Sequence, residues 1–211
     1  MAIRKYEHFL ITGCGNSGTR YYAKIFTDAF GLERSHERVF TQMCYKEGYP
    51  LRWRKNVGDA SCHGAAYDLP ADCLKIHLIR DPFRQIFSTF QLKWFEGRIK
   101  PSLGYLYDIC PEVFSHLDPL ARTAQYWISW NKKAAEKAQY QIKLEFLNIE
   151  ATKNMLMHFG VGWSQDARRG FQKVPKQFGK RASYGIATLR DFPDLQEEVY
   201  TMRTQYGYPD L

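Results

Sequence analysis

The sequence predicts an α/β fold, with a central, mainly parallel sheet flanked by helices. Apolar runs at residues 7–13, Cys73–Ile79 and Tyr140–Phe146 read as strands, and helical periodicities lie between them. The first run enters a glycine-rich turn, Gly13-Cys-Gly-Asn-Ser-Gly-Thr19, and a helical pattern leaves it. The second ends in Arg80-Asp81-Pro82 and gives way to another helix.

After the glycine turn, Tyr22, Ile25, Phe26, Ala29 and Phe30 repeat at the spacing of one helix face. Asp81 is placed to cap the next helix and Pro82 suits its first turn. Phe83, Ile86, Phe87, Phe90 and Trp94 then form an apolar face expected to be core. Residues 97–118 are rich in Gly, Pro, Ser and Tyr without clear period, and are expected to be a long loop or lid. A helix is expected from Pro119 to about Ala138, with Leu120, Ala124, Trp127, Ile128 and Ala135 on one side. Another runs from Asn148 to Gly160, residues 161–191 read as irregular and basic, and Leu195, Val199, Met202 and Tyr206 mark a C-terminal helix. One domain spanning 1–211 is expected, without internal repeat.

Composition narrows the partners. The net charge of +8 favours an anionic one. No stretch approaches the roughly 20 apolar residues of a membrane span. The start of the chain carries no signal-peptide pattern, so a cytoplasmic protein is expected. Five scattered cysteines, Cys14, Cys44, Cys62, Cys73 and Cys110, form no metal-binding pair and read as reduced, buried thiols.

A strand, a glycine turn and a helix aim backbone N–H groups and a positive helix end at an anion. In a nucleotide triphosphatase loop, Lys and Ser/Thr would follow Gly18; here Thr19 and Arg20 stand there. The loop can cradle phosphate but is poorly equipped for metal-assisted phosphoryl transfer. Arg80 closes a strand and Ser88 lies two turns into the following helix, so a second anion device shares the rim.

With these two motifs the chain resembles the sulfotransferases that use 3′-phosphoadenosine 5′-phosphosulfate (PAPS). The likeness rests on Gly13 to Thr19, on Arg80-Asp81-Pro82 with Ser88, and on Trp127-Ile-Ser-Trp-Asn131. The ending Leu189-Arg-Asp-Phe-Pro193 to Tyr206-Gly-Tyr208 adds to it, and the whole looks like the short bacterial and phage-borne members. The resemblance implies a three-layer fold like that of the P-loop NTPases. It implies that Gly13, Cys14, Gly15, Asn16, Ser17, Gly18, Thr19 and Arg20 hold the 5′-phosphosulfate. Arg80 and Ser88 would hold the 3′-phosphate, and Lys180 and Arg181, within a basic segment at 173–185, would close on the cofactor. Asn16 departs from the family, which usually has Lys or Arg there.

The implied reaction moves a sulfuryl group in line to a hydroxyl or amine of a small-molecule, lipid or carbohydrate acceptor, without a metal. Glu37 is the first candidate for the base and His36 the second, with His63 and His77 as further possibilities; His77, alternating with apolar residues, reads rather as packed. Tyr45, Tyr49, Trp53, Tyr67, Trp94, Tyr105 and Tyr107 are candidates for the acceptor wall. The alternatives are a P-loop kinase of nucleosides or small molecules, and a polyanion-binding protein without enzymatic activity. No nucleic-acid motif is present.

Overall fold

The computed structural model describes residues 6, 8–19, 21–23, 40, 58–96, 100–136, 138–146, 148–160, 165 and 189–209. Its sheet has four parallel strands: β1 (His8–Thr12), β2 (Gly58–Ala60), β3 (Cys73–Ile79) and β4 (Tyr140–Lys143), in the order β2-β1-β3-β4. The helices are one opening at Thr19, α1 (Pro82–Gln91), α2 (Lys100–Ile109), α3 (Pro119–Ala135), α4 (Ile149–His158) and α5 (Pro193–Gln205).

The strands read as continuous apolar runs because both faces of the sheet are covered. Phe9, Ile11, Leu74, Ile76, Leu78 and Ile142 pack with Tyr22 and Ala23 of the first helix and with Met155 and Leu156 of α4. On the opposite face, β3 meets α3 and α5 through His77, which bonds Asn131 and packs edge-on against Tyr206. Two polar residues of β3 therefore lie in the interior and need partners there. Lys75 Nζ donates to the carbonyls of Ala65 and Glu136, at the ends of the 3₁₀ turn His63–Ala66 and of α3, where helix dipoles favour a cation.

Several elements differ from expectation. β1 ends at Thr12, one residue before the expected 13, and β4 stops at Lys143, where Leu144–Phe146 turns as a 3₁₀ segment. β2, only three residues long, falls below the length at which apolar periodicity reads. Residues 100–115 are not irregular: α2 and a 3₁₀ turn, Pro111–Ser115, occupy them, with Tyr105, Leu106 and Val113 buried in the core beside α3. Pro101 falls in the first turn of α2, where proline is tolerated, and packing offsets the weak propensity of Gly104. α1 ends at Gln91 and the left-handed Lys93 (φ 54°) turns the chain back, so Trp94 leaves the helix face. Gln85 and Thr89 are buried on α1 with Phe83 and Ile86, while Phe87 and Phe90 are only half-buried.

Topology positions the site. From β1 the chain first adds β2 on one side and then crosses to place β3 on the other. In open α/β sheets, ligands bind beyond the carboxyl ends of the strands at such a switch point. Thr12 pairs with His77 and Ile79 with Lys143, so the strands end on one edge. That edge carries Gly13–Thr19, Ser61–His63, Arg80–Asp81 and Leu144–Phe146. Among the described residues, no helix is long and apolar enough to cross a membrane.

Candidate functional site

The glycine loop is built against its neighbours. A Cβ on Gly13 would lie 2.2 Å from the Leu78 carbonyl oxygen, so only glycine lets β1 leave the sheet there. A Cβ on Gly15 would meet the Trp94 ring at 2.3 Å. Gln85, fully buried on α1, donates through Nε2 to the carbonyls of Cys14 (3.0 Å) and Gly15 (2.7 Å). Its Oε1 accepts the Trp127 indole N–H at 3.1 Å, which fixes the amide's orientation. The Gly15 N–H donates to the Tyr126 hydroxyl at 3.1 Å. Asn16 and Gly18 take left-handed φ values of 64° and 96°. Asn is among the few side chains that accept this conformation readily, so the residue standing where a cation was expected also suits the backbone. Its Nδ2 donates to Thr89 Oγ1 at 3.3 Å.

Ser17 is the loop's open group. Its N–H closes the turn onto the Cys14 carbonyl at 3.1 Å, and its hydroxyl lies over Gly13. That Oγ is buried and has no hydrogen-bond partner among the described residues. Buried polar atoms are rarely left so, and one in a glycine loop fits an absent anion. Gly18 and Thr19 open the helix, whose first N–H groups have no intrahelical acceptor.

Arg80, expected as the second anion device, touches the loop. Arg80 Nη1 donates to the Asn16 carbonyl at 3.1 Å, and Nε stands 4.0 Å from Glu145 Oε1. Asp81 does not serve as a simple partner for its neighbour. Its Oδ1 caps α1 through the Arg84 N–H, and its Oδ2 accepts from Arg203 Nε at 3.2 Å. Ser88 is half-buried, on the same α1 stripe as Gln85 and Thr89. Neither Gln85 nor Thr89 was among the expected site residues. Their signal was available as two polar residues four apart, on the helix face that also carries Phe83 and Ile86.

α3 holds the rim together. Tyr126 takes the Gly15 N–H, Trp127 orients Gln85, Trp130 Nε1 donates to the Cys62 carbonyl at 2.9 Å, and Asn131 Oδ1 receives His77 Nε2 at 3.0 Å. Asn131 Nδ2 is spent on the Trp127 carbonyl, so His77 carries its proton on Nε2. His77 is packed, as expected, but its Nδ1 is buried without a partner among the described residues. Burial lowers its pKa to about 4. His63 is half-buried at the end of β2, its Nδ1 3.9 Å from Cys62 Sγ and its carbonyl held by the Tyr105 hydroxyl. Cys14, Cys62, Cys73 and Cys110 are buried; burial raises the thiols of Cys73 and Cys110 to about 12 and that of Cys14 further. Tyr105 is core beneath His63, whereas Tyr107 is exposed.

Arg20, His36, Glu37, Lys180, Arg181, Cys44, Tyr45, Tyr49 and Trp53 lie outside the described residues, as do the helix positions after Ala23 and the basic segment 173–185.

No family model and no curated protein matches the chain. Among solved structures, the sulfotransferase domain of the Synechococcus PCC 7002 olefin synthase is similar. It matches with a TM-score of 0.60 and 12% identity, over 99% of this chain and 98% of that one. The chain has a sulfotransferase-domain fold. At 12% identity this likeness concerns the path of the backbone. The chemistry has to be argued from the loop, Arg80 and the groups around them.

Proposed function

We propose that the chain is a PAPS-dependent sulfotransferase of P-loop-like architecture acting as a single domain. The observation that carries this reading is the pairing of two anion devices at the β1/β3 switch point. The buried Ser17 hydroxyl lacks a partner among the described residues, and Arg80 is joined to the loop by one hydrogen bond. A nucleotide with phosphate groups at both ends fits that pairing better than one with a single polyphosphate tail. Ser17 with the N–H groups of Gly18 and Thr19 would hold the 5′ end, and Arg80 with Ser88 the 3′-phosphate. Arg20, Lys180 and Arg181 are the candidates to add the positive charge that Asn16 does not carry.

Bound there, PAPS supplies an activated sulfuryl group. The loop's donors are held in place by Gln85 and Tyr126 before any ligand arrives, so little reorganisation is needed when charge develops on the leaving phosphate. A base must take the acceptor's proton. His77 is unsuited, with its Nε2 committed to Asn131 and its pKa lowered to about 4. His63 stands on the rim and is favoured by its position, while Glu37 and then His36 follow from sequence alone. Loss of the ascending pH–rate limb in His63→Gln would assign the base to His63. Its retention there and loss in Glu37→Gln would move the role to Glu37.

The reading is tested by following 3′-phosphoadenosine 5′-phosphate (PAP) released from PAPS across phenol, sugar, lipid and amine acceptors. Acceptor-dependent release, abolished in Arg80→Ala, is expected. Absence of release with every acceptor class would overturn it. A kinase is disfavoured because Thr19 and Arg20 replace the phosphate-binding Lys and the magnesium-binding hydroxyl.

A further inference from the structure

The C-terminal segment folds back onto the second anion device. α5 stops at Gln205, Gly207 takes a φ of 68°, and Tyr208 turns into the interior. The Tyr208 hydroxyl donates to Glu145 Oε2 at 2.8 Å. Glu145 Oε1 accepts the Asp81 N–H at 3.1 Å and stands 4.0 Å from Arg80 Nε. From Arg80, Nη1 continues to the Asn16 carbonyl at 3.1 Å. A continuous line of polar contacts thus runs from Tyr208 through Glu145 and Arg80 to the glycine loop. Two cations brace the segment: Lys143 donates to the Gly207 carbonyl at 3.0 Å, and Arg203 donates to the Pro209 carbonyl.

We propose that Glu145 and Tyr208 are positioning residues of the second anion site. They hold the Nε edge of Arg80 so that its Nη edge stays turned to the loop, and thereby set the preference for a nucleotide bearing a 3′-phosphate. The inference rests on the cofactor reading above. An arginine side chain is long and loses much rotamer freedom when fixed; a planar guanidinium anchored along one edge has already lost it before the ligand binds. Glu145 is itself fixed by two hydrogen bonds, from Tyr208 and Asp81, which a carboxylate serving only to balance charge would not need. Burial and the neighbouring carboxylate push the Tyr208 pKa up, so its hydroxyl keeps the proton that it donates. On the cofactor reading the 5′-phosphate is held by Ser17 and the N–H groups of Gly18 and Thr19, not by Arg80, so its binding should be spared when Arg80 loses its anchor.

Calorimetric titration of the wild-type chain, Tyr208→Phe and Glu145→Gln with PAP and with adenosine 5′-phosphate tests this. The wild-type chain is expected to prefer PAP. Tyr208→Phe should cut that preference roughly two- to tenfold, since only part of the charge-assisted hydrogen bond to Glu145 is passed on to Arg80, with affinity for adenosine 5′-phosphate retained. Glu145→Gln should cut it further. An unchanged preference in the folded variants would overturn the proposal, and so would equal weakening of both ligands, which marks a merely structural role. Absence of preference in the wild-type chain would instead remove the cofactor reading and the proposal with it. Should Glu145→Gln not fold, Tyr208→Phe, which removes one hydroxyl, decides the question.

Discussion

Gln85 illustrates how one side chain sets the loop. Its amide satisfies two loop carbonyls and one indole N–H, all buried. Leucine at this position has similar bulk but leaves those groups orphaned, and each buried orphan costs about 1–3 kcal/mol. Gln85→Leu is therefore expected to lose at least about 3 kcal/mol in urea denaturation, and a loss below about 1 kcal/mol would mean that these bonds do not hold the loop. His77 makes a second, pH-dependent contribution. Its pKa falls from 6.5 to about 4 on burial, so between those values the unfolded chain binds the extra proton. Stability from the neutral ring is fully present above pH 6.5 and is lost as pH falls toward about 4. The loss over that window is expected to be about 3 kcal/mol, and in His77→Gln the corresponding slope should vanish. Equal pH slopes in both proteins would contradict this assignment.

Two helices separate local from distant effects. α1 and α3 both begin Asp-Pro, with Asp81 and Asp118 as caps. Asp118 is exposed, and among the described residues its carboxylate bonds only the N–H groups of Leu120 and Ala121, so Asp118→Ala should cost about 1 kcal/mol. Asp81 also holds Arg203, which is 4% exposed, and its removal leaves that guanidinium buried without its carboxylate. Asp81→Ala should cost about 3–5 kcal/mol, and equal losses in denaturation would deny the ion pair its role. The same contrast explains what the sequence could tell. The Asp81 cap, the glycine loop and β3 were legible because their signals are local. Arg203, 122 residues from Asp81, and Tyr126, 111 from Gly15, are joined to their partners only by the fold. β2 was hidden by its three-residue length, and α2 by Pro101 and Gly104 in a segment whose helix is stabilised by packing.

Over the whole molecule, the +8 charge alone would suit any polyanion. Topology makes the demand specific. β1 and β3 deliver the glycine loop and Arg80 to one crevice, and α3 ties the loop, the end of β2 and His77 into one rim. On the proposed reading, that arrangement takes a small ligand with two separated anionic groups. A thermal-shift comparison of PAP, ATP with Mg²⁺ and heparin tests the claim most directly. PAP at about a hundredfold excess over its Kd is expected to raise Tm by about 5 °C or more, with smaller shifts from the others at matched concentration. No shift with millimolar PAP, or a larger one with ATP and Mg²⁺ or with heparin, would contradict it.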